Sequence, residues 1–258
     1  MPGTKLTNKV AIITGGGQGI GRGIAVRFAS EGAKIVIAQR RQLRAETTVR
    51  EIGAVGGEAL AVQTDVRRLA DVRTLIKKTM EHFGRLDILV NNAGRAGGNG
   101  RFLELGLNTW REVIGVNLTG VFLCSQAAAR AMSAQGIHGR IINIGSLNSF
   151  VAQKDAAAYA ASKGGVLLLT KAMAVDLAEY GILVNCLVPG SIRVKRNMSF
   201  LDRAPIKMAL GKAIPLGHPG NVADVAGAAV FLASDDSAFV TGTSLVVDGG
   251  YLAHARIE

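Results

Sequence analysis

The sequence predicts a single α/β domain of 258 residues, built on an open, doubly wound parallel sheet with helices on both faces. Short apolar runs rich in β-branched residues alternate along the whole chain with longer segments whose apolar residues recur with a helical period. Uninterrupted apolar runs of this kind are typical of parallel strands that are covered on both sides. No internal repeat, low-complexity tract or linker divides the chain, so residues 1–258 form one predicted domain.

The predicted elements follow one another in strand–helix order. The predicted strands are 9–14, 34–38, 59–63, 86–90, 140–144, 182–188 and 244–247. The predicted helices include 19–30, 67–83, 119–135, 156–180 and 222–233. Residues 191–220 contain Pro205, Pro215 and Pro219, and we predict that they form an irregular flap near the substrate. A loop of that length in a compact domain is usually functional.

The composition limits the classes of function. The chain has 30 Lys and Arg against 19 Asp and Glu, a formal net charge of +11, but the cations are spread out without a basic tail or stripe. An anionic cofactor or substrate explains this charge better than nucleic acid does, with a solvated surface as the alternative. No uncharged apolar stretch reaches the roughly 18 residues of a membrane helix, and residues 1–9 do not resemble a signal peptide. We expect a cytoplasmic protein without a membrane partner, in which Cys124 and Cys186 are reduced core residues.

A glycine-rich segment follows the first predicted strand and opens a helix. Its spacing is G-x-x-x-G-x-G. A backbone without side chains lets a pyrophosphate approach the N-terminus of a helix, whose free N–H groups favour anions. We therefore expect the following residues to contact a dinucleotide: Gly15, Gly17, Gln18, Gly19, Ile20 and Gly21. The alternative is a tight strand–helix turn.

The end of the second strand bears on the choice of dinucleotide. A site for NAD places an acidic residue here to bind the ribose hydroxyls, but the segment reads Gln39-Arg40-Arg41. Guanidinium groups bind a 2′-phosphate, which a carboxylate would repel. The segment predicts NADP(H), with NAD still possible, and the alternative is a basic strand end at the surface.

Two further strand ends carry candidate cofactor residues. Asp65 and Val66 follow the third strand, where the carboxylate and the next N–H group could meet the adenine ring. Asn92, Ala93 and Gly94 follow the fourth strand, where a cofactor would cross the carboxyl edge of the sheet. The alternatives are a helix cap for Asp65 and a turn for the Asn-rich segment.

Ser146, Tyr159 and Lys163 form the most specific pattern. Ser146 follows the fifth strand, and Tyr159 and Lys163 are four residues apart on one helix face. An ammonium group beside a phenol favours the phenolate, so Lys163 is expected to lower the pKa of Tyr159 and let it exchange a proton with an alcohol. Ser146 can bond the developing alkoxide oxygen. Asn117 lies inside a predicted helix, where its amide could bond a carbonyl, bend the helix and hold a water, or could be a plain polar residue.

These residues resemble the short-chain dehydrogenase/reductase family over about residues 5–251. The motifs that carry the resemblance are Thr14-Gly15-x-x-x-Gly19-x-Gly21, Asn91-Asn92-Ala93-Gly94, Asn117, Ser146, Tyr159-x-x-x-Lys163 and Pro189-Gly190. The resemblance implies a Rossmann-type fold and hydride transfer between a nicotinamide and a secondary alcohol or ketone. In this family Tyr159 would be the acid/base, Ser146 would orient the substrate oxygen, Lys163 would also hold the nicotinamide ribose, and Asn117 would support a proton-relay water.

The resemblance extends to the cofactor segment after the sixth strand and to assembly. It implies cofactor contacts at Pro189, Gly190 and Ile192, and a homotetramer or homodimer with the tyrosine helix, including residues 166–178, at an interface. Val194 departs from the family pattern, since a threonine hydroxyl often assists nicotinamide binding there. Arg193, Lys195 and Arg196 are a second departure, and they either bind an anionic substrate group or are solvated charges of the flap.

The substrate remains open at this level. Residues 159–190 look like those of sugar, polyol and glucose dehydrogenases, and 3-oxoacyl-ACP reductases are the alternative. Arg130 could dock an acidic carrier protein, but Val175 stands where a second arginine is expected. A non-catalytic NADP-binding regulator is a third interpretation, although such relatives usually lose the tyrosine or lysine. Specificity is expected from residues 94–101, 146–155 and the flap. The four histidines, His82, His138, His218 and His254, lack metal-ligand spacing, so no metal is predicted.

Overall fold

The computed structural model describes residues 4–95 and 100–254, and these form a seven-stranded parallel sheet with a small two-stranded parallel sheet beside it. The strands are β1 Val10–Thr14, β2 Lys34–Gln39, β3 Ala59–Gln63, β4 Ile88–Asn91, β5 Arg140–Ile144, β6 Leu183–Pro189, β7 Ile192–Arg193, β8 Gly220–Asn221 and β9 Ser244–Val247. The order in the large sheet is β3-β2-β1-β4-β5-β6-β9, and β7 pairs with β8. The predicted doubly wound sheet is confirmed.

Helices cover both faces of the large sheet. They are α1 Gly19–Ser30, α2 Gln42–Ala54, α3 Leu69–Phe83, α4 Leu107–Ile114, α5 Gly120–Ala134, α6 Ala157–Asp176, α7 Met198–Leu201, α8 Ala204–Ala213 and α9 Val222–Ala233. Successive strand residues point to opposite faces, so Ile13 packs in the core under α1, α2 and α9, whereas Ile12 packs in the core under α3, α5 and α6. Burial on both faces explains why the strands read as continuous apolar runs.

The strand order reverses between β1 and β4. The chain runs outwards through β2 and β3 on one side and through β5, β6 and β9 on the other. Loops at the carboxyl ends of β1 and β4 therefore diverge and leave a crevice, which is where ligands bind in open α/β sheets. The glycine-rich segment and residues 92–94 lie at this position.

The flap prediction was wrong in part, because residues 191–220 are not irregular throughout. They contain β7, α7, α8 and the start of β8. Pro205 lies in the first turn of α8, where its missing N–H costs no helical hydrogen bond. Pro215 and Pro219 follow the end of α8, so neither proline lies inside a helix. Helices α2 and α4 also lay outside the predicted segments.

Helices α4 and α5 are joined by a π-helical turn, Gly115–Thr119, into one helix over Leu107–Ala134. Among the described residues this is the helix that is long and apolar enough to cross a membrane by length and composition. Its apolar side packs against the sheet, with Cys124 and Met132 fully buried in the core. Cys124 and Cys186 are both free and buried, as expected for core residues.

Candidate active site

The glycine-rich loop is held by its own backbone packing. Gly15 has φ +67°, and a Cβ on Gly21 would overlap the Nδ2 of Asn92 and lie 2.7 Å from the Gly15 oxygen. The same Asn92 amide donates hydrogen bonds to the oxygens of Thr14 (3.0 Å) and Gly15 (3.2 Å). Gly17 lies against the backbone of Arg44, since a Cβ built on Gly17 would be 2.9 Å from the Arg44 carbonyl oxygen. Gly15, Gly17 and Gly21 are therefore required by contacts within the protein, in addition to any contact with a ligand.

Gly19 and the start of α1 form the open part of this loop. Gly19 has φ +55°, and the neighbour nearest to a Cβ built there is Val194 Cγ1 at 3.6 Å. Gln18 is the N-cap residue of α1 and makes no side-chain cap hydrogen bond, and the first turn contains no acidic residue. An uncapped helix N-terminus behind a glycine is a site for an anion, which fits the pyrophosphate of a dinucleotide.

Three arginines surround the end of β2. Arg40 and Arg41 are exposed, and Arg41 is the N-cap residue of α2. Arg44, one turn into α2, donates a hydrogen bond from Nη1 to Gln18 Oε1 in the glycine-rich loop. Within residues 4–95 and 100–254, no carboxylate lies at ion-pair distance from these three guanidinium groups. Arg44 was not predicted, although a third arginine within five residues was a usable signal.

Asp65 has a structural partner. Its carboxylate accepts hydrogen bonds from Arg67 Nε (2.9 Å) and Nη2 (2.5 Å), and the Arg67 side chain holds the pKa of the Asp65 carboxyl below its usual value. The N-cap residue of α3 is Arg68, so Asp65 is not a helix cap. Val66 is buried beside Gly120, where a Cβ would lie 2.7 Å from Val66 Cγ2. An adenine contact by Asp65 stays a prediction.

The residues predicted to contact the cofactor after β4 also make hydrogen bonds within the protein. The N–H groups of Asn92 and Ala93 both donate to Thr14 Oγ1 at 3.0 Å. Their contacts with a cofactor stay a prediction. Gly94 lies near Asn117, with 3.6 Å between a built Cβ and Asn117 Oδ1. Of the predicted specificity segment 94–101, residues 96–99 lie outside the described residues.

The structure brings Ser146, Tyr159 and Lys163 together at the carboxyl end of β5. Ser146 caps the short 3-10 helix Leu147–Ser149, and its Oγ accepts a hydrogen bond from the Asn148 N–H (3.2 Å). Ser146 and Tyr159 line the same cavity, and the Ser146 side chain is near enough to the Tyr159 hydroxyl to lower its pKa. Lys163 lies one turn further along α6 with its Nζ 5.8 Å from the centre of the Tyr159 ring, and Nζ donates to the oxygen of Ile144 (2.6 Å).

The protonation of this site differs from the expectation. Burial raises the pKa of Tyr159 above its ordinary value, and this effect outweighs the Ser146 hydrogen bond and the positive charge of Arg196, which both lower it. The predicted lowering by Lys163 is not found in this state, because Lys163 is itself buried and its amine is directed to Ile144. Burial lowers the pKa of Lys163 to about 8. Tyr159 is consequently a protonated phenol at neutral pH.

Asn117 lies in the π-helical turn and is fully buried. Its Oδ1 accepts from the Arg95 N–H (2.8 Å), and its Nδ2 donates to the Arg95 oxygen (3.1 Å) and to Ser162 Oγ (3.0 Å). The sequence left two alternatives open for Asn117. The structure shows the first, because the amide bonds a backbone carbonyl, that of Arg95, and the helix is irregular at this turn. Asn117 thereby connects the loop after β4 to α6, beside Tyr159.

A buried polar network supports the site from below. The Nδ2 of Asn91 donates to Ser125 Oγ and to Asn143 Oδ1, both at 2.8 Å, and the Nδ2 of Asn143 donates to Thr170 Oγ1 (2.9 Å). Ser149 Oγ also donates to the oxygen of Lys163 (3.0 Å). These bonds join β4 and β5 to α5 and α6. None of the network was predicted, because single polar residues in apolar runs carry no local pattern.

A cavity of about 310 Å³ opens beside Ser146 and Tyr159. Polar groups from two loops line it: Asn148, Gln153, Lys154 and Ser191. Pro189 and Gly190 form part of its wall, and a Cβ on Gly190 would lie 2.7 Å from Asp248 Cα. Ile192 is buried below the flap. Of the three flap cations, Arg193 pairs with Asp202 at 2.5 Å, whereas Lys195 and Arg196 are exposed.

Comparisons with known proteins agree with this fold and site. A family model described as Enoyl-(Acyl carrier protein) reductase matches residues 15–252. Glucose 1-dehydrogenase 2 of Bacillus subtilis (strain 168) is 37% identical over 246 residues, covering 95% of each chain. A 3-oxoacyl-[acyl-carrier-protein] reductase of Synechocystis sp. is 41% identical over 249 residues, covering 96% of this chain and 98% of the relative.

Solved structures give the same result. A gluconate 5-dehydrogenase from Burkholderia cenocepacia J2315, in complex with NADP and tartrate, has a TM-score of 0.92 at 41% identity, with coverage of 98% of this chain and 99% of the other. The fold and these matches define an oxidoreductase that acts on alcohol and keto groups. The chain belongs to the short-chain dehydrogenase/reductase family.

Proposed function

We propose that the protein is an NADP(H)-dependent enzyme that transfers a hydride between the nicotinamide and a secondary alcohol or ketone of a sugar, a polyol or another small hydroxy compound. One observation carries the proposal. Tyr159 and Ser146 line one cavity at the carboxyl edge of the sheet, and Lys163 Nζ lies 5.8 Å from the centre of the Tyr159 ring.

The reaction divides between cofactor and protein. The nicotinamide supplies or accepts the hydride when it is bound. Ser146 Oγ and the Tyr159 hydroxyl would both bond the substrate oxygen, and Tyr159 would give its proton to that oxygen during ketone reduction. The raised pKa of Tyr159 keeps this proton in place at neutral pH. Asn117 would act through Ser162 and Arg95, by fixing the turn beside Tyr159.

The direction of the pKa shift predicts the pH dependence. Alcohol oxidation needs the deprotonated phenol, and the pKa of Tyr159 lies above its ordinary value, so kcat/KM for oxidation should rise with pH through the alkaline range. Reduction needs the protonated phenol and should fall only at alkaline pH. Initial rates in both directions between pH 6 and about 10.5 would check this. A fall in oxidation rate with rising pH would contradict it.

The preference for NADP(H) rests on the end of β2. Arg40, Arg41 and Arg44 provide three guanidinium groups beside the glycine-rich loop, and no acidic residue takes the position that binds ribose hydroxyls. The structural relative from Burkholderia cenocepacia, which is 41% identical, was solved with NADP. NAD remains a possible second cofactor for this enzyme.

The cavity favours a small polar substrate. Its lining combines hydroxyl, amide and ammonium groups with the smaller apolar surface of Leu147, Ala156 and Pro189, which suits a polyhydroxy compound better than an acyl chain. The glucose and gluconate dehydrogenase relatives support the same class. A 3-oxoacyl thioester is the second candidate, favoured by the 41% identical Synechocystis reductase. A non-catalytic regulator is disfavoured because Ser146, Tyr159 and Lys163 are all present and adjacent.

We also propose that the protein is cytoplasmic and self-associates as a homotetramer or homodimer. A groove of about 540 Å³ runs between α5 and α6. Large apolar side chains remain exposed on these two helices, namely Phe122, Leu168 and Val175. Exposed apolar surface of this kind is typical of an interface. Light scattering coupled to gel filtration tests the proposal, and a monomer at micromolar concentration would contradict it.

The first experiment is an activity screen. NADPH oxidation and NADP⁺ reduction would be followed with ketones, sugars, polyols and a 3-oxoacyl thioester, with NADH and NAD⁺ in parallel and Tyr159→Phe as the blank. Activity that the substitution abolishes, highest for a sugar or polyol with NADP(H), is expected. A preference for NADH contradicts the interpretation of Arg40 and Arg41. Failure to bind NADPH at all contradicts the whole proposal.

A further inference from the structure

Lys154 is an exposed cation at the rim of the catalytic cavity. It lines the cavity together with Ser146 and Tyr159, in the segment that connects β5 to α6. The next residue, Asp155, has φ +60°, a left-handed conformation that non-glycine residues rarely adopt. Conformations of this kind persist where the surroundings determine them, and they are concentrated at functional sites. The segment thus reaches α6 through a defined turn, one turn before Tyr159.

Arg196, an exposed residue of the flap, is a second cation near Tyr159. Its positive charge lowers the pKa of Tyr159. The turn before it is held by Asn197, whose Oδ1 accepts from the Val194 N–H and whose Nδ2 donates to the Ile192 oxygen, both at 2.9 Å. A Cβ built on Gly19 would lie 3.6 Å from Val194 Cγ1, so this turn is next to the glycine-rich loop. Arg196 therefore belongs to a hydrogen-bonded turn near the cofactor loop.

Neither cation has an anionic partner. In the described part of the chain, no carboxylate lies at ion-pair distance from Lys154 or Arg196, whereas Arg193 in the same flap is paired with Asp202. A cation that lines the cavity and a second one near Tyr159 together attract an anionic group of the substrate. The sequence offers three flap cations that could bind an anionic group of the substrate. Arg193 is the least suitable of them, because it already pairs with Asp202.

Asn148 contributes a hydrogen-bond acceptor to the same cavity. It lines the cavity and is buried, and its Oδ1 receives no hydrogen bond from the described residues. A buried acceptor without a donor is costly and rare in folded proteins. A hydroxyl group of a ligand is a donor that can satisfy it.

We propose that Lys154 and Arg196 bind the carboxylate of the substrate and that Asn148 accepts a hydrogen bond from one of its hydroxyl groups. The substrate is then a short polyhydroxy carboxylic acid or the corresponding keto acid. The carboxylate takes no part in the hydride transfer, which occurs at a carbinol carbon held against Ser146 and Tyr159. A cavity of about 310 Å³ is at the lower end of the range for small-molecule sites, which agrees with a short substrate. This inference rests on the proposed oxidoreductase function.

A matched pair of substrates tests the carboxylate. Gluconate and glucitol have the same polyhydroxy chain, and they differ by a carboxylate in place of a primary alcohol. The wild-type enzyme should prefer gluconate. Lys154→Gln and Arg196→Gln should each lower kcat/KM for gluconate about tenfold, mainly through KM, and change it less than about twofold for glucitol. Lys195→Gln is the control, since it removes an exposed flap cation next to Arg196.

The other arms of the experiment separate the alternatives. Asn148→Ala should lower kcat/KM for both substrates, because both carry the hydroxyl groups. Glucose 6-phosphate against glucose tests a phosphate in place of the carboxylate. A larger gain from the phosphate, a wild-type preference for glucitol, or equal losses on both substrates in Lys154→Gln would each overturn the proposal.

A binding measurement keeps this inference separate from the proposed function. Calorimetry with the NADPH-loaded protein should detect binding of tartrate but not of threitol, and Lys154→Gln should weaken tartrate binding about tenfold while its melting temperature stays that of the wild type. If no compound is turned over but tartrate binds in this way, the oxidoreductase function fails and the carboxylate site stands. Absence of tartrate binding, with normal NADPH binding, overturns the carboxylate site alone.

Discussion

The cofactor side of the crevice is formed by closely packed backbone, whereas the substrate side carries exposed charged side chains. On the cofactor side, Gly15, Gly17 and Gly21 fit against Asn92, Ala93 and Arg44, and the shape is made by backbone in close contact. On the substrate side, Lys154 and Arg196 are exposed, and no carboxylate in residues 4–95 and 100–254 lies at ion-pair distance from either. The cofactor side should therefore be sensitive to any added atom, whereas the substrate side should tolerate new side chains and change its preference.

The largest effect on kcat is expected from removing the Tyr159 hydroxyl, which lies between the cofactor side and the substrate side of the crevice. Tyr159→Phe deletes the hydroxyl near Ser146 and leaves the ring beside Lys163. Because a general acid contributes about 10²- to 10⁴-fold, kcat should fall about a thousandfold, while the Kd for NADPH should stay within about twofold. Steady-state kinetics and a fluorescence titration measure the two quantities. Tyr180→Phe, at an exposed position beyond α6, is the control.

Lys163 is buried next to Tyr159, and its burial should make the free energy of unfolding depend on pH. Its folded pKa is about 8 against a reference of 10.5. Below pH 8 the amine is protonated in both states, and the cost of burying its charge opposes folding in full. Between pH 8 and 10.5 the folded state loses the proton before the unfolded state does. The free energy of unfolding should therefore rise by about 3 kcal/mol over this range.

The matching experiment compares unfolding of wild type and Lys163→Met in denaturant at several pH values. The free energy of unfolding of the wild type should rise relative to the variant between pH 8 and 10.5. Lys171→Met, at an exposed position on the same helix, supplies the control. A difference between wild type and Lys163→Met that stays constant with pH would mean that Lys163 is hydrated in solution.

Gly21→Ala tests how sensitive the cofactor side is to one methyl group. The new Cβ would overlap Asn92 Nδ2, which ties the loop to Thr14 and Gly15. We expect a loss of about 2 kcal/mol in the free energy of unfolding and at least tenfold weaker NADPH binding, measured by denaturation and calorimetry. Gly53→Ala in α2 is the matched control, since nothing lies within 4 Å of its Cβ. It should stabilise the protein by about 0.5–1 kcal/mol. Equal effects of the two substitutions would refute the comparison.

How far the sequence predicts each side follows from the same difference. The strands, the glycine-rich turn and the Tyr159–Lys163 spacing are local patterns, and the structure places each of them as expected. The raised pKa of Tyr159 depends on burial by distant segments, and the use of the Asn92 and Ala93 amides by Thr14 depends on two strands meeting. No spacing along the chain contains that information. The flap was taken for a loop because a proline in the first turn of a helix has the same local pattern as a proline in a loop.

Arg44 gives the smallest effect and the sharpest distinction within the cofactor side, because its backbone packs on Gly17 while its side chain bonds Gln18. Arg44→Gln keeps the backbone contact and removes the charge, so the Kd for NADPH should rise about tenfold and the Kd for NADH should not change. Arg50→Gln, at an exposed position on α2, controls for the loss of one positive charge. If Arg44→Gln weakens NADH and NADPH equally, the side chain supports the glycine-rich loop rather than the 2′-phosphate, and Arg40 and Arg41 alone make the preference for NADP(H).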